Sequence, residues 1–436
     1  MTRLLRPRIA GLFGMMFALS LVSLSFAQER RGLFLVVPYG WLKFLIGFAL
    51  VAGGLALGVY LYGRATRPAK AGQYALAAAT HLFIWVVILL TLYPVINLVA
   101  VSLNRSNNLN SPPPAEGNLL VRAGLLPNPD NFSFVQYAKV TGETHLNTLQ
   151  WLFVGILVLA VLGVAVVSLL GRTSENPYRL ERLRAIFGWT LFAAAAALVV
   201  SVGPDQFYRI NEAGQRVASA SDRKVILFIR NTLLVSGITG IFAVLISTTA
   251  GYAFARMKFD GRYGTLLTFI FVQMFPGFMA LVAIFYLMNY LGLLNTFTGL
   301  ILAYSGGAIS FAAWIFKGYL DSISTSLEEA AMVDGATRWG AFWRVILPIS
   351  VPMLLFIFLL QFIGTYSEFI LANILLTGDD MWTVGIGLRS FTSGQFATQW
   401  GALAASAVLG SLPILFIFYA FQGALTGQYT AGGVKG

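Results

Sequence analysis

Apolar stretches of spanning length, broken by short basic links, recur along this chain and decide what it can become. About 20 consecutive apolar residues cross the hydrocarbon core of a bilayer as a helix. Ten stretches meet that need: Ile9–Ala27, Leu33–Tyr62, Tyr74–Leu103, Trp151–Leu170, Ala185–Val202, Val225–Phe254, Tyr263–Leu291, Leu300–Phe316, Val345–Leu371 and Trp400–Leu425. Several exceed the minimum, which implies tilt or extension beyond the bilayer. The expected fold class is all-α, a polytopic integral membrane protein of about ten transmembrane helices.

Composition agrees. Of the 436 residues 58% are hydrophobic and 11% charged, against about a quarter charged in soluble proteins. The formal net charge of +12 invites a nucleic-acid reading, but the basic residues lie in short links between apolar segments. Arg3, Arg6, Arg8, Arg64, Arg67, Lys70, Arg172, Arg179, Arg182, Arg184, Arg256, Lys258, Arg262, Lys317, Arg338, Arg344 and Lys435 make 17 of the 29 basic residues, all on one set of alternating sides. That bias puts these links and both termini in the cytoplasm. Segment one has a rival reading as a secretory signal peptide, from its basic start and the Ser-Phe-Ala run at 25–27. Its cleavage would leave every later orientation unchanged. The chain has no cysteine, which excludes disulfides and thiolate metal sites. With only His81 and His145 available, no metal site is expected.

The links divide the chain. Residues 1–73 hold the first two segments and 74–103 the third. Residues 104–224 form external loops around the pair at about 151–202. Residues 225–425 carry the remaining segments, with the loop 317–344 among them, and 426–436 form a cytoplasmic tail. Pro112, Pro113, Pro114, Pro127 and Pro129 mark 104–150 as irregular.

The loop Lys317–Arg344 carries the functional signal. Thr325 and Glu328 are spaced as a capping box, and LEEAAMV consists largely of good helix formers. Leu327, Ala330 and Ala331 share a face that another backbone can approach closely. Gly335 sits where that helix ends. A second short helix is expected over Ala336–Arg344, with Trp339, Phe342 and Trp343 at headgroup level. The spacing EAA, three residues, Gly335, nine residues, Val345, one residue, Leu347-Pro348 matches the EAA signature of ABC-importer permeases, with valine in place of its preferred isoleucine.

With GYAFARMKF at 251–259, QMFP at 273–276, SLEEAAMVDGAT at 326–337 and LTGQYTAGGVKG at 425–436, the chain resembles the carbohydrate-uptake permeases of the MalG type. The resemblance covers the third segment and the sixth to tenth. It implies a six-helix type I ABC-importer core in the bacterial inner membrane. It also implies a binding-protein-dependent, ATP-driven importer of maltose or maltodextrin. The implied partners are a second, MalF-like permease, two MalK-like ATPase subunits and an external, MalE-like sugar-binding protein. The chain lacks a G-x-x-x-x-G-K-[ST] loop, so it is expected to be no enzyme and to bind no cofactor. ATP and Mg²⁺ would sit on the partner ATPases. By resemblance Glu328, Glu329, Ala330, Ala331, Asp334 and Gly335 contact the ATPase, and Gly432, Gly433 and Lys435 of the tail reach the same interface. The outside loop Thr377–Gln399 would enter the docked binding protein, with Gly385 and Gly387 letting it bend and Met381, Trp382 and Phe391 as apolar anchors. Gln273, Gln361, Tyr366 and Glu368 are polar residues in or near spanning segments and so are pathway candidates. Two alternatives stay open: the same machine carrying another sugar such as trehalose or sucrose, and an ion-coupled secondary transporter.

Overall fold

The computed structural model describes residues 29–31, 34–36, 40–66, 68–106, 121, 125–170, 177–274, 276–392 and 398–425. Segment Ile9–Ala27 and the tail residues Gly432, Gly433 and Lys435 lie outside them. The chain divides into two compact units, Met1–Ser133 and Phe134–Gly436.

In the first unit a short antiparallel pair, β1 (Glu29–Arg31) and β2 (Phe34–Val36), precedes α1 (Gly40–Thr66) and α2 (Ala71–Ser102). The expected segment Leu33–Tyr62 therefore begins seven residues late. Its first residues are spent on β2. α1 and α2 pack together around Leu82, with Ala52, Leu55, Trp85 and Val86 against it. A Cβ on Gly63 would lie 3.0 Å from Ala71 Cα, so glycine permits the close return of the chain.

The second unit opens with α3 (Val135–Thr141), then the hairpin of α4 (Thr148–Leu170) and α5 (Pro177–Ser201). Gly163 admits the Phe187 ring, which an added Cβ would meet at 2.6 Å. The antiparallel strands β3 (Tyr208–Ile210) and β4 (Arg216–Ala218) follow.

α6 (Val225–Arg256) then organises the rest, packing against α9 (Phe297–Asp321) and α12 (Leu347–Ser367). Between the larger buried residues at its ends, its buried face is mostly small and polar: Asn231, Thr232, Ser236, Thr239, Gly240, Ala243, Ser247, Thr248 and Gly251. Small residues let membrane helices approach, since dispersion rather than hydrophobicity holds them together in lipid. A Cβ on Gly251 would fall 2.8 Å from the Phe316 ring, and one on Gly240 2.9 Å from the Phe358 ring. Thr232 and Ser236 donate to carbonyls one turn back, at 2.7 and 2.6 Å, whereas the buried Thr239 hydroxyl has no such partner.

The expected span Tyr263–Leu291 is not one helix. It is α7 (Arg262–Met274), a 3₁₀ turn at Gly277–Ala280 and α8 (Leu281–Tyr290), bent by 91°. Pro276 is extended, at φ −60° and ψ 117°, and lacks the N–H that would continue the ladder. The expected span Val345–Leu371 also shifts. α11 (Arg338–Ala341) runs through a π turn, Phe342–Ile346, directly into α12. The second loop helix is thus the foot of a spanning helix. α12 ends at Ser367 because Glu368 turns extended and starts α13 (Ile370–Leu375). α14 (Val384–Ser390) and α15 (Trp400–Leu425) complete the unit.

Among the described residues, seven helices are long and apolar enough to cross a membrane, or eight if the bent pair is one span. Against ten expected segments, one lies outside the described residues, one is bent in two, and α1 is a 27-residue helix at the site of another.

Candidate functional site

The loop between α9 and α12 builds from its first helix, α10 (Ser326–Val333). Thr325 does not form the expected capping box. Its backbone is helical, at φ −65° and ψ −21°, and its side chain makes no capping bond. Glu328 instead turns inward and is 7% exposed. One carboxylate oxygen accepts from Tyr252 Oη at 3.0 Å. The other meets Arg256 Nε at 2.5 Å. Arg256 also donates through Nη2 to the Ile323 carbonyl, at 2.9 Å. Tyr252 and Arg256 are four residues apart on α6 and so share a face. Around them Phe342 stacks on Trp339 at 5.2 Å and tilts against Tyr252 at 4.6 Å.

Glu328 is therefore unavailable to a partner surface, and the expectation that it makes such a contact is corrected. The neighbours point the other way. Glu329, Ala330, Asp334 and Gly335 are exposed and Ala331 is half-buried. Val333, at 87% exposed, stands out among them as an apolar side chain presented to solvent. Gly335 has φ +87°, a left-handed conformation that L side chains rarely adopt. Its N–H reaches the Met332 carbonyl and that of Ala336 the Ala331 carbonyl, both at 3.0 Å, which closes the end of α10. Thr337 accepts from the Gly340 N–H at 3.0 Å and starts α11. The result is a short helix with one face locked onto α6 and the opposite face free.

At the far end of α6 the segment 377–392 is folded. Lys224, 3% exposed, reaches Asp379 and Asp380, each at 2.9 Å. Burial alone would depress the Lys224 pKa, but the hydrogen bonds and negative charges of Asp380 and Asp379 outweigh it and raise the pKa. Asn231 donates to the carbonyls of Asp380 and Trp382, at 2.8 and 3.0 Å. Thr232 Oγ1 accepts from the Val384 N–H at 2.8 Å. The expected anchors divide. Met381 and Trp382 are half-buried, with Trp382 tilted on Phe228 at 5.9 Å. Phe391 is 1% exposed and packs with Val140, Val225, Ala402 and Ala405. Gly387 is buried where a side chain would overlap the Phe228 ring, and Gly385 lies against the Phe369 backbone. Phe391 and Gly387 are thus core residues rather than an exposed anchor and a flexible joint.

Residues 228–428 match the family of binding-protein-dependent transport system inner membrane components. Over 218 residues the chain is 45% identical to the maltose/maltodextrin transport system permease protein MalG of Vibrio vulnificus strain YJ016, covering 49% of this chain and 73% of that protein. It is 44% identical to the same-named protein of Escherichia coli K12, with the same coverage. The chain belongs to the MalG family of binding-protein-dependent permeases. A solved bacterial ABC transporter involved in the import of the acidic polysaccharide alginate shares its fold, with a TM-score of 0.51 at 17% identity, over 80% of this chain and 95% of that one.

This MalG-family chain is accordingly a multi-pass inner-membrane permease component with an ABC-importer fold. Three of its four intramembrane polar candidates reach one stretch of α9, Tyr304–Ala308, and Tyr366 does not. Gln273 donates to the Gly307 carbonyl at 2.9 Å and Gln361 to that of Ala308 at 3.4 Å, both on α9. Tyr366 donates to the Gly410 carbonyl at 2.6 Å. Glu368 accepts from Tyr304 Oη at 2.5 Å and from the N–H groups of Leu371 and Ala372, at 2.9 and 3.2 Å. Its carboxylate is occupied in starting α13.

The sequence assigns no site role to Tyr252, Lys224, Asn231 or Arg256: Tyr252 and Arg256 enter it only within the GYAFARMKF match, and Arg256 also as a marker of orientation. The spacing of Tyr252 and Arg256 was a usable signal. So was a lysine abutting an apolar span in a chain that also carries an Asp-Asp pair beyond the ninth segment.

Proposed function

We propose that this permease is a pathway-forming subunit of an ATP-driven importer of maltose or maltodextrins. It works with a second permease subunit, two cytoplasmic ATPase subunits that hold ATP and Mg²⁺, and an external sugar-binding protein. One observation carries the reading. The EAA-signature helix presents Glu329, Ala330, Val333, Asp334 and Gly335 outward while its inner face is fixed to a spanning helix.

Such a surface suits docking into a cleft on an ATPase subunit. Glu329 offers a charge to a basic group or a helix N-terminus there. Ala330 and Ala331 let the partner backbone come close, and Val333 supplies apolar contact. Closure of the ATPase pair then displaces α10, and the helices attached to it move as bodies to change which side of the membrane is open. In this reading both termini lie in the cytoplasm, Gly432, Gly433 and Lys435 reach the ATPase, and Met381 and Trp382 face the binding protein. Hydrolysis belongs to the ATPases, and this chain performs no chemistry.

The test is uptake of radiolabelled maltose into sealed vesicles containing the co-purified complex and the binding protein. Uptake that needs ATP and persists without an ion gradient is the expected result. Uptake driven by a gradient alone would replace the reading with secondary transport. Competition by trehalose or sucrose stronger than by maltotriose would change the sugar while keeping the machine.

A further inference from the structure

The EAA loop and the segment 377–392 lie at opposite ends of α6, and polar contacts from mostly buried residues of α6 and its cap Lys224 hold each of them there. At one end Tyr252 and Arg256 take both carboxylate oxygens of Glu328, and Arg256 adds the Ile323 carbonyl. At the other, Lys224 takes Asp379 and Asp380, Asn231 takes two carbonyls, and Thr232 takes the Val384 N–H. Each set mixes side-chain and backbone partners, so neither loop can slide along α6 without stranding a buried polar group. Between the ends α6 runs 32 residues without a proline, roughly 48 Å at 1.5 Å per residue. Gly240 and Gly251 seat it closely against its neighbours.

We infer that α6 is a two-ended strut that carries displacement of the EAA helix directly to the 377–392 segment. Glu328, Tyr252 and Arg256 are positioning residues at one end, and Lys224 and Asn231 at the other. The inference rests on the proposed docking of the EAA loop to an ATPase. It adds a route by which ATPase closure at one face resets the surface at the other. Glu328 acts here through α6, while its neighbour Glu329 faces the partner.

The experiment uses the full complex with its ATPase subunits and binding protein in proteoliposomes, with maltose as the probe. It reads maltose moved per ATP hydrolysed. Glu328→Gln keeps the shape of the side chain and removes its charge, and Lys224→Met does likewise at the other end. Each should lower the ratio by about tenfold, the scale of a typical coupling free energy, while the ATPase subunits still co-purify. Because the two act in series, the double variant should be no worse than the poorer single. Distant independent sites would instead add in free energy, giving about a hundredfold loss. That outcome overturns the strut. So does an unchanged ratio in the single variants, or loss of the ATPase subunits from Glu328→Gln, which would assign Glu328 to docking. Should Glu328→Gln or Lys224→Met fail to insert, Tyr252→Phe and Asp380→Asn pose the same question with smaller steps. The unmodified complex serves as a separate arm: if it does not couple maltose uptake to ATP hydrolysis, the underlying reading fails before any variant is compared.

Discussion

Two adjacent glutamates have opposite fates because successive helical residues point about 100° apart. Glu328 neutralises Arg256 inside the protein, whereas Glu329 stands in solvent. Glu328→Ala leaves a mostly buried guanidinium uncompensated and should destabilise the permease by about 3–5 kcal/mol. Thermal unfolding in detergent would register it. Glu329→Ala should stay within about 0.5 kcal/mol of the parent yet weaken co-purification of ATPase subunits. If both variants unfold alike, the division between inner and outer face is wrong. Lys224 gives a pH signature. Its pKa is raised above the ordinary 10.5, so its stabilisation is complete below that value and fades as pH climbs through the higher folded-state value. The parent should lose stability above about pH 10.5 by this contribution, and Lys224→Met should not. Parallel melting curves from pH 8 to 11 compare the two.

Elements show where a glycine is required and where it is only small. Gly335→Val forces a branched residue into the left-handed region at φ +87°, a cost of about 1–2 kcal/mol that reopens the end of α10. The permease should still insert, with ATP hydrolysis no longer matched to transport. Normal transport by this variant would remove Gly335 from the coupling argument. Gly387→Ala places a methyl inside the Phe228 ring's envelope and should cost about 1–3 kcal/mol through overpacking, seen as a lower melting temperature. The same elements mark the limits of sequence reading. The starts of α6 and α15 were legible at Val225 and Trp400, since hydropathy changes sharply there. The break in the seventh segment was not, because Pro276 sits in an apolar run that hydropathy counts as continuous. The capping box failed for another reason. Glu328 had an arginine within reach that lies 72 residues earlier in the chain, and a charged partner outweighs a local backbone bond.

The whole chain can be tested for sidedness, since it contains no cysteine. A single cysteine at Val333, 87% exposed, should resist an impermeant thiol reagent in intact cells, while one at Ile210, 66% exposed, should react. Labelling at Val333 from outside would invert the molecule. At this scale the exposed half of the candidate site was readable, because Glu329, Ala330 and Gly335 sit within one contiguous motif. Its inner half was not. Tyr252 and Arg256 join Glu328 only through tertiary packing, and Lys224 meets Asp379 only after α6 and the seven helices α7 to α13 have been placed.

The bend at Pro276 bears on how the protein is made. α7 has 13 residues and α8 has 10, about 20 and 15 Å of helix, so neither crosses a hydrocarbon core of about 30 Å alone. Emerging from the ribosome, Arg262–Tyr290 carries enough hydrophobicity to enter the bilayer as a single straight rod. Bending it there frees backbone polar groups that lipid cannot satisfy. α9 follows it in the chain and supplies the Gly307 carbonyl that Gln273 holds. Because α9 carries the contact that ties Gln273 down, the expected outcome is that the bend settles only once α9 has been made. A nascent chain halted before α9 should hold the segment unbent, and one released after α9 should fold it into its final shape.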